Sequence, residues 1–498
     1  MTSRVDGWRG GLAACVGAAL VAACAVGPDF QRPAPPQPER YTAEPLPATT
    51  ASTAVAGGEA QTFSAGGQIP AQWWTLFHSE PLNALVEEAL RASPTVEAAQ
   101  AALRQANENL RAQRGSLLPT VDGSATGNRE KIAGAQFGQP GLNSLYSLFN
   151  ASVNVSYGID LWGGERREIE ALAAQADYQR FQLEASDLTL SSNVVTTAIQ
   201  VASLRGQIAA TQDIVADDRR QLEVVQHQLA LGGTSRLDVL TQQTELASAL
   251  ASLPPLQKQL EQNLDLLAVL LGRLPSQGAA PQLGLDELRL PQELPLSLPS
   301  QLVEQRPDVR AQEALLHQAS AEVGVATANL LPQVTLNASF GGTNTKLYDL
   351  LNPSSNIWSI GAGVTQPLFH GGTLIHKKRA AVAAYEQAVA QYRGTVLNAF
   401  QNVADALHAL QLDADALQAQ NQAEQAAAAA LDVARKRYQA GAVSHLELLA
   451  TERSYQQSRI ALLQAQAARF ADTAALLQAL GGGWWNRDGA GQQAAADR

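Results

Sequence analysis

Hydrophobic positions along this chain change period several times, and they do so twice in the same order. Between residues 149 and 160, Phe149, Ala151, Val153, Val155, Tyr157 and Ile159 alternate with Asn150, Ser152, Asn154, Ser156 and Asp160. The period of two returns as Val334, Leu336, Ala338 and Phe340 against Thr335, Asn337 and Ser339. It returns again as Trp358, Ile360, Ala362 and Val364 against Ser359, Gly361, Gly363 and Thr365. Alternation sends successive side chains to opposite faces, so these are strands with one apolar face and one face of small uncharged polar groups. The stretch after Pro119 alternates only weakly and is expected as a fourth strand. About ten residues is the length a tilted strand needs to cross a bilayer core. The polar face suits a water-filled lumen; a soluble two-layer sheet is the alternative reading of the same pattern.

Elsewhere the period is seven. Val194, Val201, Ile208, Val215, Leu222 and Leu229 fall seven apart, as do Leu246, Leu253, Leu260, Leu267 and Leu274. Val382, Val389, Val396, Val403, Leu410 and Leu417 repeat the spacing later in the chain. A sustained heptad drives left-handed coiled-coil packing. The stretches 164–230 and 372–440 would each be roughly 100 Å long at 1.5 Å per residue. The shorter stretches 94–118 and 236–272 together hold 62 residues against the 67 of 164–230, so two short helices end to end could run beside one long one. Pro254-Pro255 falls inside one of them and is expected to kink or interrupt it.

The repetition is a duplication. Pro94 and Pro119 are answered by Pro307 and Pro332, both 213 residues on, and each helix ends on Leu-Leu-Pro. Asp160-Leu161-Trp162-Gly163-Gly164 is answered by Pro367-Leu368-Phe369-His370-Gly371-Gly372. The turn 232–240 is answered by 441–449, offset by 209, and the halves close at Leu271-Gly272 and Leu480-Gly481. The expected division is a signal peptide at 1–23, an extended Pro-rich segment at 24–80, and a first repeat at 81–274. An equatorial linker at 275–305, a second repeat at 306–481 and a tail at 482–498 follow.

Composition narrows the function. Of 498 residues 46% are hydrophobic and only 16% charged, which is too apolar for a disordered chain. A net charge of −11 leaves no basic surface for nucleic acid. Two cysteines, Cys15 and Cys24, exclude a disulfide scaffold and any cysteine-rich metal site. Arg4 and Arg9 precede an apolar run of small residues that ends at Val21-Ala22-Ala23-Cys24, which resembles a bacterial lipoprotein box. Cys24 is preferred to Cys15 as the lipidation site because Cys15 lacks an apolar stretch before it. An ordinary signal peptide with an incidental cysteine is the alternative. Removal of 1–23 brings the net charge to −12, with 33 basic against 45 acidic residues. No later run of 18 apolar residues offers a transmembrane helix. Seven histidines occur, but no HExxH, GxSxG, GxxxxGKS/T or paired CxxC. His370 and His376 flank a glycine pair and read as surface residues. No enzyme activity, no metal site and no cofactor beyond a covalent lipid on Cys24 are expected.

Four strands cannot close a barrel, and an open edge in lipid leaves unpaired backbone groups at several kcal/mol each. The smallest membrane barrels have about eight strands. At least two chains must therefore share one barrel; two, three or four chains all satisfy the arithmetic.

Cys24 followed by Val26-Gly27-Pro28-Asp29-Phe30, then Trp73-Trp74 and Phe77, the two Leu-Leu-Pro ends and the two glycine-bearing turns carry a family resemblance. Over nearly its whole mature length the chain resembles the outer membrane factors of the TolC and OprM type, and its lipidated start is similar to the OprM and NodT branch. The resemblance implies a mixed all-α plus transmembrane β fold. In it a homotrimer builds a twelve-strand outer-membrane barrel, continued by a long periplasmic α-helical coiled-coil barrel. It implies the exit duct of a tripartite pump of a Gram-negative bacterium, conducting drugs, solvents or metal ions. Its partners would be a periplasmic adaptor protein, an inner-membrane RND transporter and outer-membrane lipids. By position it assigns adaptor docking to Gly232, Arg236, Asp238, Gly441 and His445, a pore constriction to Glu447, and a gate latch to Tyr438 with Asp238. Val443 and Ala450 stand where some relatives carry an arginine and a second acidic residue. The competing readings are an exit duct for protein secretion beside an ABC transporter, and a structural coiled-coil lipoprotein.

Overall fold

The computed structural model describes residues 25–38, 40–133, 138, 141, 143–277 and 283–487. The signal segment 1–23, Cys24, residues 278–282 of the linker and 488–498 of the tail lie outside the described residues. The regular elements are β1 (Thr62–Ala65), α1 (Glu80–Ala92), α2 (Pro94–Arg114), β2 (Thr120–Ile132), β3 (Ser144–Ile159), α3 (Gly164–Ala230) and α4 (Arg236–Leu270). They continue as β4 (Glu293–Leu296), α5 (Pro299–Gln305), α6 (Pro307–Ala328), β5 (Gln333–Asn344), β6 (Asn356–Thr365), α7 (Thr373–Gln439) and α8 (His445–Ala479). Among the described residues no helix is long and apolar enough to cross a membrane. The chain divides into two compact units.

The first unit comprises residues up to Pro33, Ala102–Arg180 and Ala311–Arg393. Its centre is an antiparallel sheet in the order β2-β3-β5-β6. The weakly alternating stretch after Pro119 is a strand of 13 residues, and β3 reaches 16. Both helices that lead into hairpins stop before their prolines. Leu118 is already extended at φ −108°, as the residue before a proline prefers. Register keeps like with like. Val155 stands opposite Val121 and Ala338, and Ala338 opposite Ile360; one step along, Asn154 stands opposite Asp122 and Ser339, and Ser339 opposite Ser359. The polar row is linked by hydroxyl contacts, Ser124 to Ser152 at 2.9 Å and Ser339 to Ser359 at 2.8 Å, and Ser156 donates to Asn337 Oδ1 at 3.1 Å. The apolar row is bare, with Trp358 72%, Ile360 79% and Val364 70% exposed. A soluble two-layer sheet would have covered it.

The second unit comprises Ala34–Ala101, Phe181–Arg310 and Gly394 onward. Here the heptads of the long helices are core: Val194, Val201 and Val215 in α3, and Val403, Leu410 and Leu417 in α7, are all buried. Trp73, Phe77, Leu82 and Phe470 form an aromatic and aliphatic centre. Beside it β1 and β4 pair in parallel. Arg469 is fully buried and donates to the Leu410 carbonyl and to Gln61 Oε1, each at 2.8 Å. Helix α4 runs on through Pro254 and Pro255, contrary to the interruption expected there. The two prolines remove the bonds to the carbonyls of Leu250 and Ala251, both in exposed residues.

Candidate functional site

Two helix turns in the second unit carry the candidate docking and gating residues, and both are built the same way. Helix α3 ends with Gly232 at φ +75°, where the Gly232 N–H donates to the Leu229 carbonyl and the Gly233 N–H to the Gln228 carbonyl. Gly441, at φ +68°, ends α7 with the matching pair, its N–H on the Tyr438 carbonyl and the Ala442 N–H on that of Arg437. This double closure satisfies carbonyls that a helix end leaves open, and the left-handed residue it requires is cheapest as glycine.

The following helices start from serine caps. Ser235 Oγ accepts the Asp238 N–H at 3.2 Å, and Asp238 Oδ2 in return accepts the Ser235 N–H at 3.0 Å. The Ser235 and Thr234 hydroxyls add bonds to the same oxygen at 2.7 and 2.8 Å. These donors, Ser235 first, hold the Asp238 carboxyl below the usual carboxylate range. At the second turn Ser444 Oγ accepts the Glu447 N–H at 3.2 Å, but the Glu447 side chain turns instead toward Arg437, 3.7 Å away and more than half exposed.

The expected latch partners lie near enough for the Asp238 charge to help burial raise the Tyr438 pKa, but each makes its hydrogen bonds elsewhere. Asp238 is engaged in its cap, and the Tyr438 hydroxyl donates to Gln228 Oε1 at 3.2 Å, tying α7 to α3. His445, expected by position at the docking surface, is buried. Its ring is 5% exposed, tilted against Tyr438 at 5.6 Å between centroids, with no hydrogen-bond partner on either nitrogen. Burial lowers its pKa, so it is a neutral packing group. Arg236 and Glu447 are exposed.

Sequence reasoning missed the leucines that surface at these turns. Leu231, Leu237 and Leu446 are 76, 71 and 68% exposed. The available signal was that Leu237 and Leu446 occupy matching places in the two turns, 209 residues apart. It also missed a polar cluster between the helices. Arg435 of α7 lies 3.1 Å from Asp217 of α3 and 3.4 Å from Glu452 of α8. Arg453 pairs with Glu245, and Arg459 with Asp213 at 3.0 Å. A cavity of about 340 Å³ lined by Gln228, Arg435, Tyr438 and Glu452 opens beside it. Burial pushes the Glu452 carboxyl up, against the pull of Arg435. Buried Asp218 accepts from Gln242 at 3.3 Å, and burial raises its pKa to about 6. Among the described residues no group of three or more His, Cys, Asp or Glu is placed to hold a metal ion.

In the first unit, the residues next to the proposed lipid site are strapped down. The Val26 N–H donates to the Trp162 carbonyl at 2.9 Å, just beyond the end of β3. Arg167 lies 2.5 Å from Asp29 and 2.7 Å from Glu170, Phe30 stacks on His317 at 4.3 Å, and Arg32 meets Glu313 at 2.9 Å.

Residues 85–273 and 298–482 match the family described as outer membrane efflux protein. The pyoverdine export outer membrane protein OpmQ of Pseudomonas putida is 32% identical, over 88% of this chain and 94% of that protein. The cation efflux system protein CusC of Escherichia coli is 28% identical over 94% of this chain and 98% of its own length. Among solved structures the outer-membrane channel OprN superposes with a TM-score of 0.82 at 26% identity, covering 93% of this chain and all of that one.

Proposed function

The chain belongs to the outer membrane efflux protein family, and from that premise we propose that it is the passive exit duct of a tripartite efflux pump. It is an outer-membrane component of an efflux system, as its relatives are. The observation that carries the channel reading is the sheet of the first unit, with one bare apolar face and one hydrogen-bonded polar face, in a chain whose two halves each supply one hairpin and one 67-residue helix. Apolar residues toward lipid and small polar residues toward water are the arrangement of a membrane barrel. Three copies would give twelve strands, anchored by a lipid on Cys24 and continued by a helical duct in the periplasm. The strap from Val26 to Arg32 supports this anchor, because it fixes the chain immediately after Cys24 beside the end of β3. In this reading 81–274 and 306–481 are the two working repeats, and 24–80, 275–305 and 482–498 pack around them.

The turns at 232–240 and 441–449 would dock a periplasmic adaptor that links the duct to an inner-membrane RND transporter. Exposed Leu231, Leu237 and Leu446 support that assignment, since a helical partner buries apolar residues at its centre. The cargo is a small molecule or ion, in keeping with relatives named for pyoverdine and cations. Its identity is set by the transporter that fills the duct, and no catalytic step is needed. Photo-crosslinking from Leu446 in native membranes tests the reading, with the captured neighbour identified by mass spectrometry. An adaptor that works with an RND transporter is expected. An adaptor of an ABC transporter would move the chain to protein export, and capture of its own copies alone would end the docking assignment.

A further inference from the structure

Past the end of β6 the exposed side chains change in order, from apolar to aromatic to basic, and the fold makes no use of the basic ones. We propose that Lys377, Lys378 and Arg379 bind the phosphates of anionic phospholipids in the leaflet facing the periplasm, while Leu368 and Phe369 lie among the acyl chains. The inference rests on the reading of the sheet as part of an outer-membrane barrel with its helices in the periplasm.

The residues follow the layers of a bilayer. Val364, near the end of β6, belongs to the bare apolar row, and Leu368 and Phe369 just beyond it are 90 and 86% exposed. A chain leaving a bilayer core places aromatic rings at the edge of the core and cations beyond them. Helix α7 then begins at Thr373, and Lys377 lies about 6 Å along its axis at 1.5 Å per residue. The headgroup layer is roughly 5–7 Å thick on each side of the hydrocarbon core. Lysine and arginine stems lie along apolar surface and extend the reach of their charges. Lys377 and Arg379 are exposed, and Lys378 is half-buried.

No structural role accounts for the three charges. The chain is acidic overall, yet no acidic residue occurs between Asp349 and Glu386. None of the three makes an ion pair among the described residues. They follow directly on the first turn of α7, at the end where the helix dipole disfavours cations. The duplication supplies a comparison. At the matching start of α3 stand Glu165, Arg166, Arg167, Glu168 and Glu170, where Arg166 meets Asp160 at 3.1 Å and Arg167 meets Glu170 at 2.7 Å. There the charges are balanced within the chain, whereas at α7 they are left for a partner outside it. Cations beside an apolar and aromatic rim fit a surface that is anionic over an apolar interior. Each such charge strengthens attachment to that surface by about fivefold.

Native mass spectrometry tests the site, on full-length protein released from bilayers of equal parts phosphatidylglycerol and phosphatidylcholine. The unsubstituted chain is expected to retain phosphatidylglycerol over phosphatidylcholine by about tenfold or more. The excess should shrink when the bilayers are prepared at high salt, which screens exposed charges. Lys377→Gln with Lys378→Gln and Arg379→Gln should bring the two lipids to equal retention, whereas Lys377→Arg with Lys378→Arg, which keeps the charge, should preserve the excess. Should the triple variant fail to assemble, Lys377→Gln alone carries the test, with an expected loss of about fivefold. Arg129→Gln with Lys131→Gln, at the opposite end of β2, should leave the ratio in place. Equal retention of the two lipids by the unsubstituted chain overturns the site. So does a preference that survives the triple substitution, or one lost to the same extent on neutralising Arg129 and Lys131. Failure of the unsubstituted chain to enter bilayers of either lipid overturns the barrel reading itself.

Discussion

Asp218 and Asp238 lie twenty residues apart and are held in opposite electrostatic states. Three hydroxyl and amide donors to Asp238 favour its charge, whereas the burial of Asp218 opposes it and lifts its pKa to about 6, with Glu245 and Asp217 adding to the rise and Gln242 working against it. A carboxyl whose folded pKa exceeds its unfolded value near 3.8 holds its proton longer when folded. Its contribution to stability is complete below about pH 4 and is lost as the pH rises through about 6. The melting temperature of the native chain should therefore fall between pH 5 and pH 7.5. Asp218→Asn, which keeps an acceptor for Gln242, should flatten that fall by an amount on the order of 2 kcal/mol. A fall of the same size in the variant would remove Asp218 from the account. At this scale the sequence was least legible. Nothing in the spacing of His445 separates a buried ring from a docking residue, because its cover comes from Tyr438 on the preceding helix.

The two helix turns are near copies in backbone and differ in what the acidic residue after the cap does. Asp238 returns a bond to its serine cap and Glu447, one methylene longer, reaches Arg437 instead. Removing the cap should thus cost more at the first turn. Ser235→Ala breaks a reciprocal pair and should cost about 1–2 kcal/mol, whereas Ser444→Ala removes one acceptor and should cost about 0.5–1 kcal/mol. Chemical denaturation of the two variants checks the order, and equal losses would show that the return bond of Asp238 adds nothing. Elements were highly legible from sequence. Period two, period seven, the prolines and the glycine turns each have a backbone reason, so strands, long helices and turns follow from them locally. The exceptions are instructive. The strand after Pro119 alternates weakly because its apolar-row positions include Gly123, Ala125 and Gly127; at Gly127 a side chain would come against the Phe149 ring of β3. Helix α4 continues through its proline pair, on a stretch where the residues that lose their bonds are exposed.

At the scale of the whole molecule the chain carries charge where copies would converge. Glu447 is exposed at the second turn, and several such carboxylates about one axis favour cations, less so with Arg437 beside each. In planar bilayers under a salt gradient, Glu447→Ala should move the reversal potential toward lower cation selectivity, and Arg437→Ala should move it the other way. Unchanged potentials in both would take the constriction away from this turn. The duplication made the architecture readable from sequence, since a pattern seen twice at fixed offset is hard to produce by chance. The polar cluster around Arg435 was unreadable, because each of its ion pairs joins helices hundreds of residues apart or separated by a turn.

The unlike edges of the sheet have a genetic consequence. In the shared barrel proposed above, the free edges β2 and β6 of one copy would face different neighbours, and assembly would be head to tail. A copy with one ruined edge still offers the other, so it enters a growing ring and stops it from closing. In a ring of three, equal amounts of sound and damaged chain would leave only about one ring in eight free of damage. In such a ring, mutations at the seam would be dominant, while a mutation that prevents a chain from folding at all, and so from joining, would be recessive.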